Sequence, residues 1–273
     1  MKKLKIGVMA PLDHGPEKTI EEVQALGLSA CQVVCWNPDL FTQEAADRLA
    51  AAAATHDVEI TTIWTGTPGR YVWNFVEGPI TIGLVPPAHR EERVAVLKRG
   101  ADFAARVGVQ SITTHVGFIP ENMTDPLYPG LLEALREVVS YCGEKDIEFW
   151  FETGQETPVV LLRVIEDLGL DNLGINLDPA NLLMYGKANP VDALDVIGTY
   201  VRGVHAKDGE YPANGRDLGV EKPLGEGRVD FPALVAKLKR LGYTGALTIE
   251  REISGPQQIK DIRHAIGVLS ALV

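Results

Sequence analysis

Short apolar runs alternate with longer amphipathic stretches along the whole chain. The runs are rich in β-branched and aromatic residues and five to seven residues long, the length of buried strands rather than helices. They predict strands at Leu4–Ala10, Ala30–Cys35, Val58–Trp64, Val109–His115, Ile147–Glu152, Leu173–Asp178, Val201–Ala206 and Ala246–Glu250. The stretches between them predict helices at Pro16–Leu26, Thr42–His56, Ala88–Val107, Tyr128–Lys145, Thr157–Leu168, Pro190–Thr199, Phe231–Leu241 and Gln257–Leu272. Gly27, Gly108, Gly143, Gly169 and Gly242 stand where helix C-caps belong. Eight strands in strict alternation with eight helices imply parallel pairing and right-handed crossovers. The expected architecture is α/β: one (β/α)8 TIM barrel spanning residues 1–273 as a single domain. The competing open sheet would want G-x-G-x-x-G after the first strand, and none is there.

Four successive runs in the second half close on a polar residue: Glu152, Asp178, His205 and Glu250. In a parallel barrel the carboxyl ends of all strands meet at one rim, so these four should converge. Two Glu, one Asp and one His form an oxygen-rich set, which suits Mn²⁺, Mg²⁺ or Co²⁺ better than a structural zinc. Each residue alone has a plainer account. Asp178 before Pro179 could be a helix cap, Glu250 could open a solvated turn, and His205 could be structural. All of these would have to hold at once. Two long connections, Thr65–Pro87 and Lys207–Val229, fall on the same rim, where long loops shape pockets or lids.

Composition narrows the partners. A net charge of −11 and a pI near 5.1 argue against a nucleic-acid surface. Cys31, Cys35 and Cys142 form no metal-like cluster, and three sparse cysteines suit a reducing cytoplasm. The opening MKKLKIGVMAPLDHG reads as a first strand rather than a signal peptide. No apolar stretch reaches membrane-spanning length. The expectation is a cytoplasmic protein with a small-molecule partner and neither nucleic acid nor membrane. Self-association into a homo-oligomer is left open.

The motifs FWFETGQET around Glu152, GINLDPANLLMYG around Asp178, VRGVHAKDGEY around His205, PLGEGRVDF at Pro223–Phe231 and GALTIERE around Glu250 carry a resemblance. In order and spacing the chain resembles the sugar-phosphate isomerase/epimerase superfamily, the xylose isomerase-like barrels. The resemblance implies that Glu152, Asp178, His205 and Glu250 bind one divalent metal, Mn²⁺ first, with Mg²⁺ or Co²⁺ as substitutes. It also implies that Glu152 and Glu250 act as acid and base on a carbohydrate, as in ketose 3-epimerases. The implied reaction is isomerisation or epimerisation of a keto-sugar through a metal-bound enediolate. A dehydratase of the inosose dehydratase kind, an aldose–ketose isomerase and a non-catalytic sugar-binding or assembly subunit are the alternatives.

Further candidates surround the four. His115 ends its strand toward the same rim, and Gln155 and Glu156 follow Glu152 in a turn that could reach sugar hydroxyls. Lys207 could meet a substrate oxygen, while Trp36 and Trp64 could pack on a sugar face. Arg70, Arg216 and Arg228 are the anion-binding candidates of the long loops. Asn181 stands where some epimerases of the family have a His, and only Arg216 approximates their arginine after the strand-seven His.

Overall fold

The β-rich runs form the staves of a barrel, and the amphipathic stretches pack around it. The computed structural model describes residues 3–273. In chain order the elements begin β1 (Lys5–Pro11), α1 (Pro16–Ala25), β2 (Ala30–Cys35), α2 (Gln43–His56), β3 (Glu59–Thr65), α3 (Gly78–Thr81) and α4 (Pro87–Val107). There follow β4 (Ser111–Thr114), α5 (Leu127–Gly143), β5 (Glu148–Glu152), α6 (Pro158–Leu168), β6 (Leu173–Leu177), α7 (Pro179–Met184) and α8 (Pro190–Ile197). The chain ends with β7 (Val201–Ala206), β8 (Asp208–Gly209), β9 (Glu221–Lys222), α9 (Phe231–Arg240), β10 (Ala246–Ile249) and α10 (Pro256–Ser270). Eight strands close in the order β1-β10-β7-β6-β5-β4-β3-β2, every pair parallel. No helix among the described residues is long and apolar enough to cross a membrane.

Local chemistry starts and stops these elements where the pattern placed them. Thr42, Thr157, Asn189 and Asp230 cap their helices through side-chain oxygens that accept from backbone N–H groups. Gly108 and Gly169 end α4 and α6 in the left-handed region. Gly143 departs from expectation: it lies inside α5, and Asp146 takes the left-handed turn instead. A side chain at position 143 would press on Asn172, whose amide ties the carbonyls of Val139 and Ile147 together.

Outward strand residues such as Cys31, Val33, Ile175 and Leu247 join the apolar layer under the helices. The interior is polar in its middle. Gln32 reaches Asn176 across the barrel at 2.8 Å, and Thr62 meets Thr113 at 3.0 Å. Trp150 lies against Gly174 and Gly203, whose missing Cβ atoms leave room for its ring.

The two long loops are tied down by buried charge. Arg93, fully buried, donates to the carbonyls of Pro68, Gly83 and Arg70 and stacks on Tyr71 at 4.5 Å. This holds the segment after β3 over the rim. Asp208 does the same after β7. Its carboxylate accepts from the N–H groups of Gly209, Gly225, Gly227 and Val229 at 2.8–3.0 Å. Gly227 has to be glycine, since a Cβ there would fall 2.1 Å from Asp208 Oδ1. The PLGEGRVDF motif is therefore a loop wrapped on one carboxylate.

Candidate metal centre

Glu152 is the last residue of β5, and His205 lies within β7. Asp178 and Glu250 sit one residue beyond β6 and β10, just past the last ladder pairing. All four side chains project inward at the carboxyl rim, and one ligand atom from each lies within 4.8 Å of the other three. His205 Nδ1 stands 3.1 Å from Glu152 Oε1, 2.9 Å from Glu250 Oε2 and 3.8 Å from Asp178 Oδ2.

The second atoms of Asp178, Glu152 and His205 are already engaged. Asp178 Oδ1 caps α7 by accepting from Asn181 N at 2.9 Å, so the cap reading and the ligand reading apply to different oxygens of one carboxylate. Glu152 Oε2 accepts from the indole N–H of Trp64. Gln32 commits its amide N–H to Asn176 Oδ1, so its Oε1 faces His205 Nε2 at 2.9 Å and must accept. That puts a proton on Nε2 and turns Nδ1 to the carboxylates. Among the described residues, Asp178 Oδ2, His205 Nδ1 and Glu250 Oε2 are buried and make no hydrogen bond of good geometry, though charged groups crowd them: Nδ1 lies 2.9 Å from Glu250 Oε2, and Lys207 Nζ lies 3.4–3.5 Å from the two carboxylate oxygens. Buried polar atoms are normally satisfied, so three orphans around one point call for a bound cation. The donor set fits Mn²⁺ or Mg²⁺ in hardness.

The electrostatics agree. Burial pushes Glu152 and Glu250 up, but for Glu152 the opposing His205 and His115, and for Glu250 the opposing Lys207 and His205, outweigh it. Both carboxyls end below their usual range. Burial wins at Asp178, which is raised despite Lys207. Burial also disfavours the His205 imidazolium, yet Glu152 and Glu250 hold its pKa well above the ordinary value. The cluster thus draws in positive charge.

The remaining sequence candidates separate. His115 is buried with Nε2 3.4 Å from Glu152 Oε1 and Nδ1 unpartnered. Lys207 is buried between Asp178 (3.5 Å), Glu250 (3.4 Å) and Glu252 (2.9 Å). Burial raises the Glu156 carboxyl to about 8. Trp36 is half-exposed, its ring 4.9 Å from that of Trp64. Trp64 itself corrects the expectation of a sugar-packing face: it is buried, and its indole N–H is used to hold Glu152. Arg216 is exposed beside Asn214, and its guanidinium makes no ion pair among the described residues. Arg70 is spent on Glu77.

A cavity of about 320 Å³ lies beside the cluster, next to His115 and Glu252 rather than on the four residues themselves, and is lined by Trp73, His115, Gln155, Asn181, Tyr185 and Glu252 among others. Gln155 brings an amide with no hydrogen-bond partner. Of the residues the sequence did not single out, Gln32 had a signal: a lone polar residue in ACQVVC, at the same strand parity as Trp36. Glu252 had one too, two residues past Glu250. Trp73 and Tyr185 come from irregular or short segments where register says nothing.

The model of the family "Xylose isomerase-like TIM barrel" matches residues 20–272. The chain belongs to that family. A crystal structure of a xylose isomerase domain protein from Planctomyces limnophilus is 36% identical, covers 99% of this chain and 98% of that one, and superposes with a TM-score of 0.94. An uncharacterized protein of Methanocaldococcus jannaschii is 30% identical over 196 residues, which is 66% of this chain and 62% of its own length. This chain therefore spans under two thirds of that curated relative. The 3-keto-D-glucoside 4-epimerase of E. coli is 18% identical with a TM-score of 0.73, covering 98% of this chain and all of that one. At that identity the likeness carries the fold alone.

Proposed function

We propose that this family member is a divalent-metal-dependent isomerase or epimerase that moves a proton on the carbon beside the carbonyl of a keto-sugar or close derivative. The convergence of Glu152, Asp178, His205 and Glu250, with three orphaned ligand atoms, carries this reading. A bound Mn²⁺, with Mg²⁺ or Co²⁺ as substitutes, would supply Lewis acidity that steadies negative charge developing on the substrate oxygens.

The chain's own residues account for the rest. Glu152 and Glu250 enter from strands separated by β6 and β7, so they can flank a bound sugar. One carboxylate takes the carbon-bound proton and the other returns a proton to the opposite face, which inverts the centre. Without a metal, the His205 imidazolium, with Lys207 at Glu250 and His115 at Glu152, holds both carboxyls below the usual range; a bound cation would take the place of the His205 proton and keep them ionised. His115 and Gln155 line the cavity with unpartnered polar atoms suited to hydroxyl contacts. Glu156, whose carboxyl burial pushes up to about 8, can donate a hydrogen bond. Trp36 offers an open ring face for a sugar.

A dehydratase is the second reading, and Lys207 favours it. This buried ammonium beside Glu250 is placed to protonate a departing hydroxyl. Incubation of the Mn²⁺-loaded protein with ketoses, 3-keto-sugars, inososes and sugar phosphates in D₂O separates the two. Deuterium at the carbon beside the carbonyl with a new epimer is the expected result. Loss of water with an ultraviolet-absorbing enone would assign the dehydratase, and neither product would reject both.

A further inference from the structure

A second cavity reaches the candidate centre from the side of the barrel. Pairing between β1 and β10 stops at Val8 and Ile249. Above that point β1 runs on for Met9, Ala10 and Pro11, paired only with β2. The chain after Ile249 runs toward Glu252 without pairing to β1. A seam therefore opens in the wall beside Glu250.

A cavity of about 480 Å³ occupies this seam. Strand parity shows that it crosses the wall. Gln32 points inward, since it meets Asn176 and His205 across the barrel; Val34 and Trp36 share its parity. Glu250 points inward with the metal-site cluster, so Ile249 and its register partner Val8 point outward. The cavity touches both sets: Met9, Val34, Trp36 and Glu250 within, and Val8, Ala10 and Ile249 without. Its outer part continues between α1 and α10 along Leu26, Ile259 and Ile262. Gln258 donates to the carbonyl of Arg251, and Arg251 pairs with Asp261, which fixes the start of α10 beside the opening.

The two cavities share Glu252 in their walls and differ in chemistry. The one over His115 and Gln155 presents unpartnered polar atoms, as a sugar requires. The lateral one is lined by the aliphatic Val8, Ala10, Leu26, Ile249, Ile259 and Ile262 with Trp36 on its inner side, and also by the charged or polar His14, Glu22, Arg251, Gln258 and Arg263. A free monosaccharide has no group for the aliphatic part of a channel of this size, which lies in the range of a ligand pocket. We infer that the substrate is a glycoside with an apolar aglycone: the keto-sugar lies over the metal-site residues, and the aglycone leaves through the β1/β10 seam into the groove between α1 and α10. The inference rests on the sugar-processing reading above and names its substrate class.

The test is isothermal titration of Mn²⁺-loaded protein with methyl, propyl, butyl and hexyl β-D-glucopyranosides. Affinity is expected to rise about two- to fourfold per added methylene, the gain from burying one CH₂. Ile262→Trp, which fills the groove, and Ile259→Lys, which charges its half-exposed edge, should each flatten that gradient while methyl glucoside binds as before. The exposed position 259 keeps the test available if the 262 variant does not fold. Affinity independent of chain length, or a gradient untouched by both substitutions, would overturn the inference. Absent proton exchange with an intact gradient would instead sink the epimerase reading and leave the glycoside arm standing.

Discussion

His205 Nε2 and Gln32 Oε1 face each other at 2.9 Å across the barrel interior, from β7 to β2. The contact decides which imidazole nitrogen is free for a metal, because Gln32 is itself oriented by Asn176. Removing the acceptor should leave the ligands in place but free the ring to turn. Gln32→Leu is expected to weaken Mn²⁺ binding about 10–100-fold, the usual cost of losing such a partner. Gln32→Glu keeps an acceptor and should retain most of the affinity. Chelator competition measures both, and an unchanged affinity in the leucine variant would show that Nε2 is not the restrained atom.

Lys207 sits among three carboxylates, one of them, Asp178, fully buried and one, Glu250, largely so. Taking one partner from a buried charge cluster leaves uncompensated charge. Lys207→Met should destabilise the metal-free protein by about 3–5 kcal/mol. The loss should shrink when Mn²⁺ is bound, since the ion supplies positive charge at Asp178 and Glu250. Urea unfolding with and without metal reads the difference, and equal losses in both forms would argue against a cation in this cluster.

The parallel barrel was legible because each strand is a short apolar run in strict alternation with amphipathic stretches, and strands of that kind need no tertiary information to be seen. The four clustered side chains followed from the same feature, since parity and strand end fix where Glu152, Asp178, His205 and Glu250 must point. What escaped was short or non-local. The six residues of α7, PANLLM, are all buried and show no helical face. The β8–β9 pair is two residues on each side, and it forms where the loop wrapped on Asp208 returns to the barrel. Trp64 was placed at the right rim but given the wrong partner: its reach to Glu152 depends on β3 and β5 flanking β4, which strand order alone does not convert into a hydrogen bond.

Glu156 gives the site a pH signature. Its folded pKa, pushed up by burial to about 8, lies above the ordinary carboxyl value of 4.5. The folded state therefore holds a proton that the unfolded chain releases between these values. This contribution to stability is full below about pH 4.5, falls as pH rises toward 8, and is flat above that. Glu156→Gln should remove that slope, because the amide mimics the neutral acid. Denaturation midpoints of the two proteins from pH 5 to 9 provide the check; parallel curves would mean that Glu156 is ionised when folded.

Glu152 and Glu250 should behave as a pair once a substrate is in hand. Replacing either by Gln is expected to lower epimerisation by roughly 10²–10⁴-fold, the scale of general acid–base catalysis. Each variant should still exchange with D₂O the proton of the one epimer that faces its intact carboxylate. Deuterium incorporation followed from each epimer separately reveals this asymmetry. Loss of exchange from both epimers in one variant, with the other variant near normal, would favour a single base, and near-normal turnover in both would move the search to Lys207 and His115.

The central claim is that Glu152, Asp178, His205 and Glu250 share one divalent cation. Elemental analysis of protein purified without chelator, then reloaded with Mn²⁺ and desalted, tests it most directly. The expected result is one ion per chain, lost when any one of Glu152→Ala, Asp178→Ala, His205→Ala or Glu250→Ala is introduced into a protein that still folds. A chain that takes up no ion, or His205→Ala protein that keeps a full equivalent, would contradict it.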